Sequence, residues 1–338
     1  MTNDTLPPFL QALLRPDCYP HPAADLRLVQ THISSVILAG DFVYKFKKPV
    51  NFGFLDFSDL EKRRDCCQQE LLLNRRLCPE IYLGLVEVTA EPSGGFALNG
   101  VGPVVEYGVR MKRMPEERMM TQLIRAGKLS NEHIDALVAV LADFYSRAEG
   151  GVEIAAFGAA PAVGVNVLEN FEQTRGFIGQ GALSQEQFDR ISSYAKDFLA
   201  QEGLFQQRID DSRVRDCHGD LYSANICLAD KVYIYDCIEF NQRFRYCDVA
   251  SDVAFLAMDL DFYGLEELSR RFIDSFAQQT KDAGLAAMLN FYKCYRAYVR
   301  GKIGLFTAGD PAVEPAVKAA SLDSAAKYFR LAEHYAAS

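Results

Sequence analysis

The stretch 217–241, CHGDLYSANICLADKVYIYDCIEFN, is the densest set of chemically capable polar groups in this 338-residue chain. His218, Asp220, Asn225 and Asp236 fall within nineteen residues, beside two short apolar runs, ICL and VYIYD. The two runs, with Ala229 and Asp230 between them, read as a hairpin. Asp220 and Asn225 then lie on the loop before its first strand, and Asp236 at the end of its second. A hairpin returns its ends to one place, so this reading sets Asp236 beside Asn225. A carboxylate and an amide oxygen are hard ligands of the kind Mg²⁺ accepts. Asp220 is left close by to act as a base. The plainer alternative is a loop capped by Asp and Asn; four such groups around one hairpin argue against it.

HGDLYSAN followed by YIYD resembles the catalytic and metal-binding segments of the aminoglycoside phosphotransferase family, small-molecule members of the protein-kinase-like fold. The resemblance implies Asp220 as the base for a substrate hydroxyl, Asn225 and Asp236 as Mg²⁺ ligands, and His218 as a residue that orients the loop. HGD, and DCI where protein kinases have Asp-Phe-Gly, favour the small-molecule branch. Downstream, IEFNQRFRYCDVASDVAFL is similar to that branch's acidic segment, in which Asp248 and Asp252 would anchor the loop. Within the branch the chain is most similar to an uncharacterised bacterial group. Some members of that group carry a C-terminal P-loop ATPase domain; with no G-x-x-x-x-G-K-[ST] here, that domain is not expected.

A kinase also needs a strand lysine for the α/β-phosphates and a helix glutamate to hold it. VYKFKK offers Lys45 and Lys47, which share a strand face because the side-chain period is two. Only one can be the phosphate lysine; Lys45, flanked by Tyr44 and Phe46, is preferred, with Lys47 second. Glu70, 23 to 25 residues on in QQELLLNRRL, resembles the paired glutamate. An exposed Lys run and a solvated Glu are the alternatives for each taken alone. No G-x-G-x-x-G is present, so LAGDF leaves only Gly40 as a phosphate-loop candidate. The backbone of Lys112 to Met114 would meet adenine, with Met111 and Met114 either against the base or, equally, packed in the core. Lys293, Arg296 and Arg300 share a helix face, read as solvated or paired with acids such as Asp248 rather than as a contact for an anionic substrate. Asp259, Asp261, Glu266 and Glu267 lie where this branch binds substrate amines, or are surface only.

Two kinds of element are needed to position these groups. ISSVILAG and FVYKFKK form a hairpin around Gly40, and YLGLVEVTA, GGFALNG and VVEYGVRMKRM supply further strands. Between them SDLEKRRDCCQQELLLNRRLC reads as one helix, with Ser58 as N-cap and Glu61 closing a capping box. A short helix is expected at 6–14, followed by a Pro-rich stretch. Later helices are expected at 116–126, 131–148, 165–179, 184–202, 264–283, 285–306 and 313–335, as in the stripe Ile134, Leu137, Val138, Leu141 and Tyr145. The fold class is α+β: a bilobal protein-kinase-like fold. Its small antiparallel-sheet lobe (1–115) would bind nucleotide, and its larger, mainly helical lobe (116–338) would carry the catalytic loop and acceptor site.

Composition agrees with that plan. At about 150 residues per domain the length allows two lobes, and 49% hydrophobic with 24% charged residues excludes disordered and collagen-like classes. Lys and Arg number 36 against 45 Asp and Glu, a net charge of −9, which argues against nucleic acid as a partner. Nine cysteines are too few for a disulfide scaffold, and the ten-residue recurrence of Cys217, Cys227, Cys237 and Cys247 lacks zinc-ribbon spacing. No signal segment and no long apolar run are evident, so a cytoplasmic protein with no membrane partner is expected. The expected partners are ATP, Mg²⁺ and a small-molecule hydroxyl acceptor; no motif encodes the acceptor or an oligomeric state. A nucleotide-binding pseudokinase with a regulatory or scaffold role is the rival reading, and the joint presence of Asp220, Asn225 and Asp236 argues against it.

Overall fold

A computed structural model describes residues 6–92, 94–311 and 313–337. They form two compact units: one runs to Met119 and includes Tyr233–Asn241, the other comprises Met120–Val232 and the chain from Gln242 onward. The boundary expected at 115 thus falls at 119. The end of the polar stretch, expected in the second lobe, belongs to the first unit.

In the first unit, β1 (Arg27–Gln30), β2 (Ser34–Ala39), β3 (Phe42–Lys47), β4 (Tyr82–Ala90), β5 (Phe96–Leu98) and β6 (Val104–Lys112) form an antiparallel sheet in the order β1-β2-β3-β6-β4-β5. β1 lies in the stretch the sequence reading leaves without an element; it is a mostly exposed edge strand with no apolar alternation. Gly40 turns β2 into β3 at φ +59°, and a Cβ there would stand 2.5 Å from the Pro22 carbonyl oxygen, so only glycine fits. Tyr44 and Phe46 join a core with Leu10 and Leu13 of α1 (Pro8–Leu13) and with Ile37, Val86 and Val88. Alternation therefore directs Lys45 and Lys47 to the opposite face.

That face meets α2 (Leu60–Asn74), which packs on β4 and β6. Its N-cap is Asp59, whose side chain accepts from Lys62 N at 2.9 Å. The expected Ser58 cap is displaced because Ser58 N donates to Asp56 Oδ1 at 3.0 Å in the preceding turn, so the helix starts one residue later. The buried side of α2 is largely polar: Arg63, Cys67, Glu70 and Asn74 are buried beside Leu71 and Leu73, while Leu72 is 64% exposed. Arg63 is satisfied by Glu106, at 2.8 and 3.0 Å.

The second unit is mainly helical, with α3 (Met120–Arg125), α4 (Asn131–Arg147), α5 (Val152–Ala155), α6 (Ala160–Thr174), α7 (Gln185–Leu199) and α8 (Glu202–Asp210). Then come β7 (Val214–Asp216), β8 (Ile226–Leu228) and β9 (Val232–Ile234), within which the chain leaves the unit. Ala229 N donates to Lys231 O at 3.1 Å, the turn read from Ala229 and Asp230. After α9 (Gln242–Arg245), β10 (Tyr246–Asp248) pairs antiparallel with β7. α10 (Val249–Phe262), α11 (Glu266–Thr280), α12 (Leu285–Gly309) and α13 (Pro315–Ala337) follow. Every residue of α10 from Val249 to Leu260 is buried, so it shows no amphipathic period, and the sequence reading misses it. The helix expected from 116 begins only at Met120, after a short 3₁₀ turn at Glu116–Arg118. None of the nine cysteines is disulfide-bonded. No single helix among the described residues is long and apolar enough to cross a membrane.

Candidate active site

In the first unit, β3, α2 and Tyr233–Asn241 bring five charged side chains together. Lys45 Nζ lies 2.9 Å from Glu70 Oε1 and also pairs with Asp236. Lys47 Nζ lies 2.5 Å from Glu70 Oε2 and pairs with Glu239. Glu70 thus carries one lysine on each oxygen. Its side chain and that of Lys47 are 0% and 1% exposed, whereas Asp236 is 44% exposed. Burial opposes the Lys45 charge, yet Asp236 and Glu70 hold its pKa well above the usual lysine value. Burial likewise pushes Glu70 up, but Lys45 and Lys47 prevail and lower it. Both groups are therefore ionised at neutral pH.

The backbone around Asp236 is fixed from below. Asp236 adopts a left-handed φ of +64°, unusual without glycine. Its N–H donates to the Tyr82 hydroxyl at 3.2 Å, and Cys237 N donates to Asn74 Oδ1 at 2.9 Å. Asn74 Nδ2 in turn donates to Glu70 O at 2.8 Å. One turn of α2 therefore supplies both the buried carboxylate and the clamp for the segment beyond Asp236.

The second unit holds the loop with His218, Asp220 and Asn225. Asp252 of α10, fully buried, accepts His218 N at 2.7 Å, Gly219 N at 3.0 Å and the Tyr145 hydroxyl of α4 at 3.0 Å. Arg296 of α12 donates to Gly219 O at 3.0 Å and lies 3.7 Å from Asp252. Gly219, at φ +86°, is gripped at both its N–H and its carbonyl. His218 Nδ1 accepts from Asp220 N at 3.3 Å, so the ring acts as a backbone brace. Asn225 Nδ2 donates to Asp220 O at 2.9 Å and to Asp220 Oδ2 at 3.0 Å, which turns the amide oxygen away from Asp220.

Gly40 N donates to Ala24 O at 3.2 Å, so its turn is held by backbone packing. Lys112 N donates to Ile81 O at 2.9 Å and Arg113 N to Asp41 O at 2.8 Å, committing both amides to the unit itself. Met114 is half-buried beside them. The α12 basic residues are not a solvated face: Lys293 and Arg296 are 8% and 6% exposed. Nor is Asp248 their partner. Lys293 pairs with Asp261 at 2.8 Å and Arg296 with Asp252, while Arg300 packs over the Tyr222 ring at 4.7 Å. Asp248 instead caps α10 and receives Arg208 at 2.8 Å on each oxygen. Asp259 is likewise no surface group; it is buried and accepts Ser223 N at 2.9 Å. Glu239, Asn74 and Tyr145 escape the sequence reading. Asn74 stands one helical turn after Glu70, a spacing that marks a shared face; Tyr145 is legible as part of the apolar stripe of α4 but not as a donor to Asp252, and Glu239 carries no local signal.

No family model matches the chain. Uncharacterised proteins of Mycobacterium tuberculosis and Mycobacterium bovis are 35% identical over 301 residues, covering 87% of this chain and 58% of theirs. The chain thus spans somewhat over half the length of those relatives. Among solved structures it is similar to an amicoumacin kinase in complex with AMP-PNP, Ca²⁺ and Ami, with 13% identity and a TM-score of 0.53 over 96% of this chain and 92% of that one. The chain has a bilobal kinase-like fold. A glucosamine kinase in complex with glucosamine, ADP and phosphate matches over 90% of this chain and 79% of its own, with 13% identity and a TM-score of 0.49. The kinase fold accounts for the antiparallel sheet with one inserted helix and for the larger helical unit, the α+β plan expected from the sequence.

Proposed function

We propose that this chain is an ATP-dependent phosphotransferase that moves the γ-phosphoryl group of ATP to a hydroxyl of a small molecule of amino-sugar, sugar or alcohol type. One observation carries the reading furthest: Lys45 is held by Glu70 at 2.9 Å and by Asp236, a lysine, glutamate and aspartate drawn from a strand, a helix and a distant segment. The shared fold with an amicoumacin kinase solved with AMP-PNP and Ca²⁺ supports a nucleotide and a divalent cation as ligands.

The donor chemistry fits Mg²⁺. Asp236 offers a carboxylate that is 44% exposed, and Asn225 an amide oxygen turned away from Asp220. Two hard oxygens suit an ion that retains several waters. When bound, Mg²⁺ neutralises charge on the β- and γ-phosphates. Lys45 binds the α/β-phosphate oxygens, aimed by Glu70. Asp220 accepts the proton of the acceptor hydroxyl as that oxygen bonds to phosphorus and the bond to ADP breaks. Asn225 orients the Asp220 carboxylate, and His218, Asp252 and Arg296 hold the loop beneath it. The chain's work is positioning and charge placement rather than covalent catalysis.

Two variants test this assignment. Asp220→Ala abolishes transfer and leaves Mg·ATP binding largely intact, while Asp236→Ala damages both. Undiminished transfer in Asp220→Ala overturns the base assignment.

A further inference from the structure

Lys47 is a second buried lysine on the face of β3 that carries Lys45, and the phosphotransferase reading gives it no task. It touches the same glutamate, at 2.5 Å, and ends on Glu239, three residues beyond Asp236. The segment after β9 is therefore tied to β3 twice, by Lys45 to Asp236 and by Lys47 to Glu239. The ties differ in exposure. The side chains of Lys45 and Asp236 are 12% and 44% exposed, those of Lys47 and Glu239 only 1% and 4%. The outer tie is open to a ligand and the inner one is sealed, with the Phe57 ring 5.5 Å from Lys47 Nζ.

We propose that Lys47 and Glu239 form a strap that keeps the Asp236 segment seated on β3 while Lys45 and Asp236 part to receive Mg·ATP. This rests on the phosphotransferase reading and makes both residues positioning residues for nucleotide binding. Charge counting supports it. The five groups sum to −1; once Asp236 turns to the metal, two lysines face Glu70 and Glu239 in balance. Without Glu239, two buried ammoniums would compete for Glu70 alone. Lys47 would then draw Glu70 away from Lys45, or hold Asp236 away from the metal. A purely structural pair would behave otherwise, because buried ion pairs are commonly replaceable by apolar residues of similar volume without loss of stability.

The test is calorimetric titration of the full chain with AMP-PNP in the presence of Mg²⁺, alongside the melting temperature. Wild type, E239Q, E239D, the apolar double variant K47M/E239M and, as reference, D236A are compared. The strap predicts that E239Q and K47M/E239M each lose about tenfold in affinity, ~1.4 kcal/mol. The double variant melts as the wild type does, and E239D, which restores the charge, recovers most of the loss. Wild-type affinity in E239Q or in K47M/E239M overturns the strap, as does E239D binding no better than E239Q. If the wild type itself fails to bind Mg·AMP-PNP, the phosphotransferase reading falls and the strap with it. If D236A loses binding and E239Q keeps it, the strap alone falls.

Discussion

Asp252→Asn probes how the loop bearing Asp220 is held. The native carboxylate accepts three donors, at 2.7 Å from His218 N and 3.0 Å from both Gly219 N and the Tyr145 hydroxyl, with Arg296 at 3.7 Å. Asparagine keeps the shape but offers one acceptor oxygen and turns an NH₂ toward donors. At least one buried N–H then loses its partner, and Arg296 loses its counter-charge. A hydrogen bond to a charged group contributes about 1.5–3 kcal/mol, and breaking one side of a buried ion pair costs about 3–5 kcal/mol. These losses overlap because the groups form one network, so the expected destabilisation is about 3–5 kcal/mol rather than their sum. Urea unfolding gives the global loss as a lowered midpoint at unchanged slope. Hydrogen exchange gives the local one: protection of the His218 and Gly219 amides falls by about two orders of magnitude. A loss below about 1 kcal/mol with both amides still protected would refute the anchoring role.

Arg208→Met removes the guanidinium that binds both buried Asp248 and buried Asp282, leaving Asp248 without a cation and Asp282 with only Arg213 at 3.8 Å, and loses about 3–5 kcal/mol at neutral pH in urea unfolding. Burial already raises the Asp248 pKa, so protonation relieves the stranded charge and the deficit shrinks as pH falls. Gly40→Ala and Gly53→Ala both place alanine at positive φ, but only at Gly40 would the Cβ meet backbone, 2.5 Å from Pro22 O. Gly40→Ala is therefore the more destabilised by at least about 1 kcal/mol in thermal unfolding. Burial lowers the Lys302 pKa from 10.5 to about 8. The folded chain thus releases this proton near pH 8 and the unfolded chain near pH 10.5, so between them the unfolded state binds more protons and stability rises with pH. Lys302→Met removes that rise, read as the difference between the two stability–pH curves.

The sequence carries the parts of the site whose geometry is local. Lys45 and Lys47 are legible as one strand face because alternation needs only the strand, with Tyr44 and Phe46 taking the core side. The turn at Ala229, and the Asp220 and Asn225 pair on one loop, are legible for the same reason. Glu239 is not, because its partner Lys47 lies 192 residues away. The polar buried stripe of α2 is legible only in part: Glu70 is read as the partner of the strand lysine, whereas the partners of Arg63 and Asn74, Glu106 and Cys237 N, lie far away in sequence. α10 hides for the contrary reason, since burial on every side erases the period that would reveal a helix. The basic residues of α12 read as solvated or paired with acids such as Asp248; they are paired, but with Asp261 and Asp252, which sit on that unreadable helix. Choosing between Lys45 and Lys47 also needs the structure. What the structure adds to the choice is the exposure of their partners, 44% at Asp236 and 4% at Glu239.

The most direct measurement incubates the purified chain with Mg²⁺, γ-labelled ATP and a metabolite extract, then follows the label into small-molecule and polypeptide fractions. Phosphoryl transfer to a small molecule predicts label on a small molecule with the wild type and none with Asp220→Ala, at a turnover of about 1–100 s⁻¹ on the true acceptor. Label on polypeptide alone, or Mg·ATP bound with nothing transferred, would contradict it.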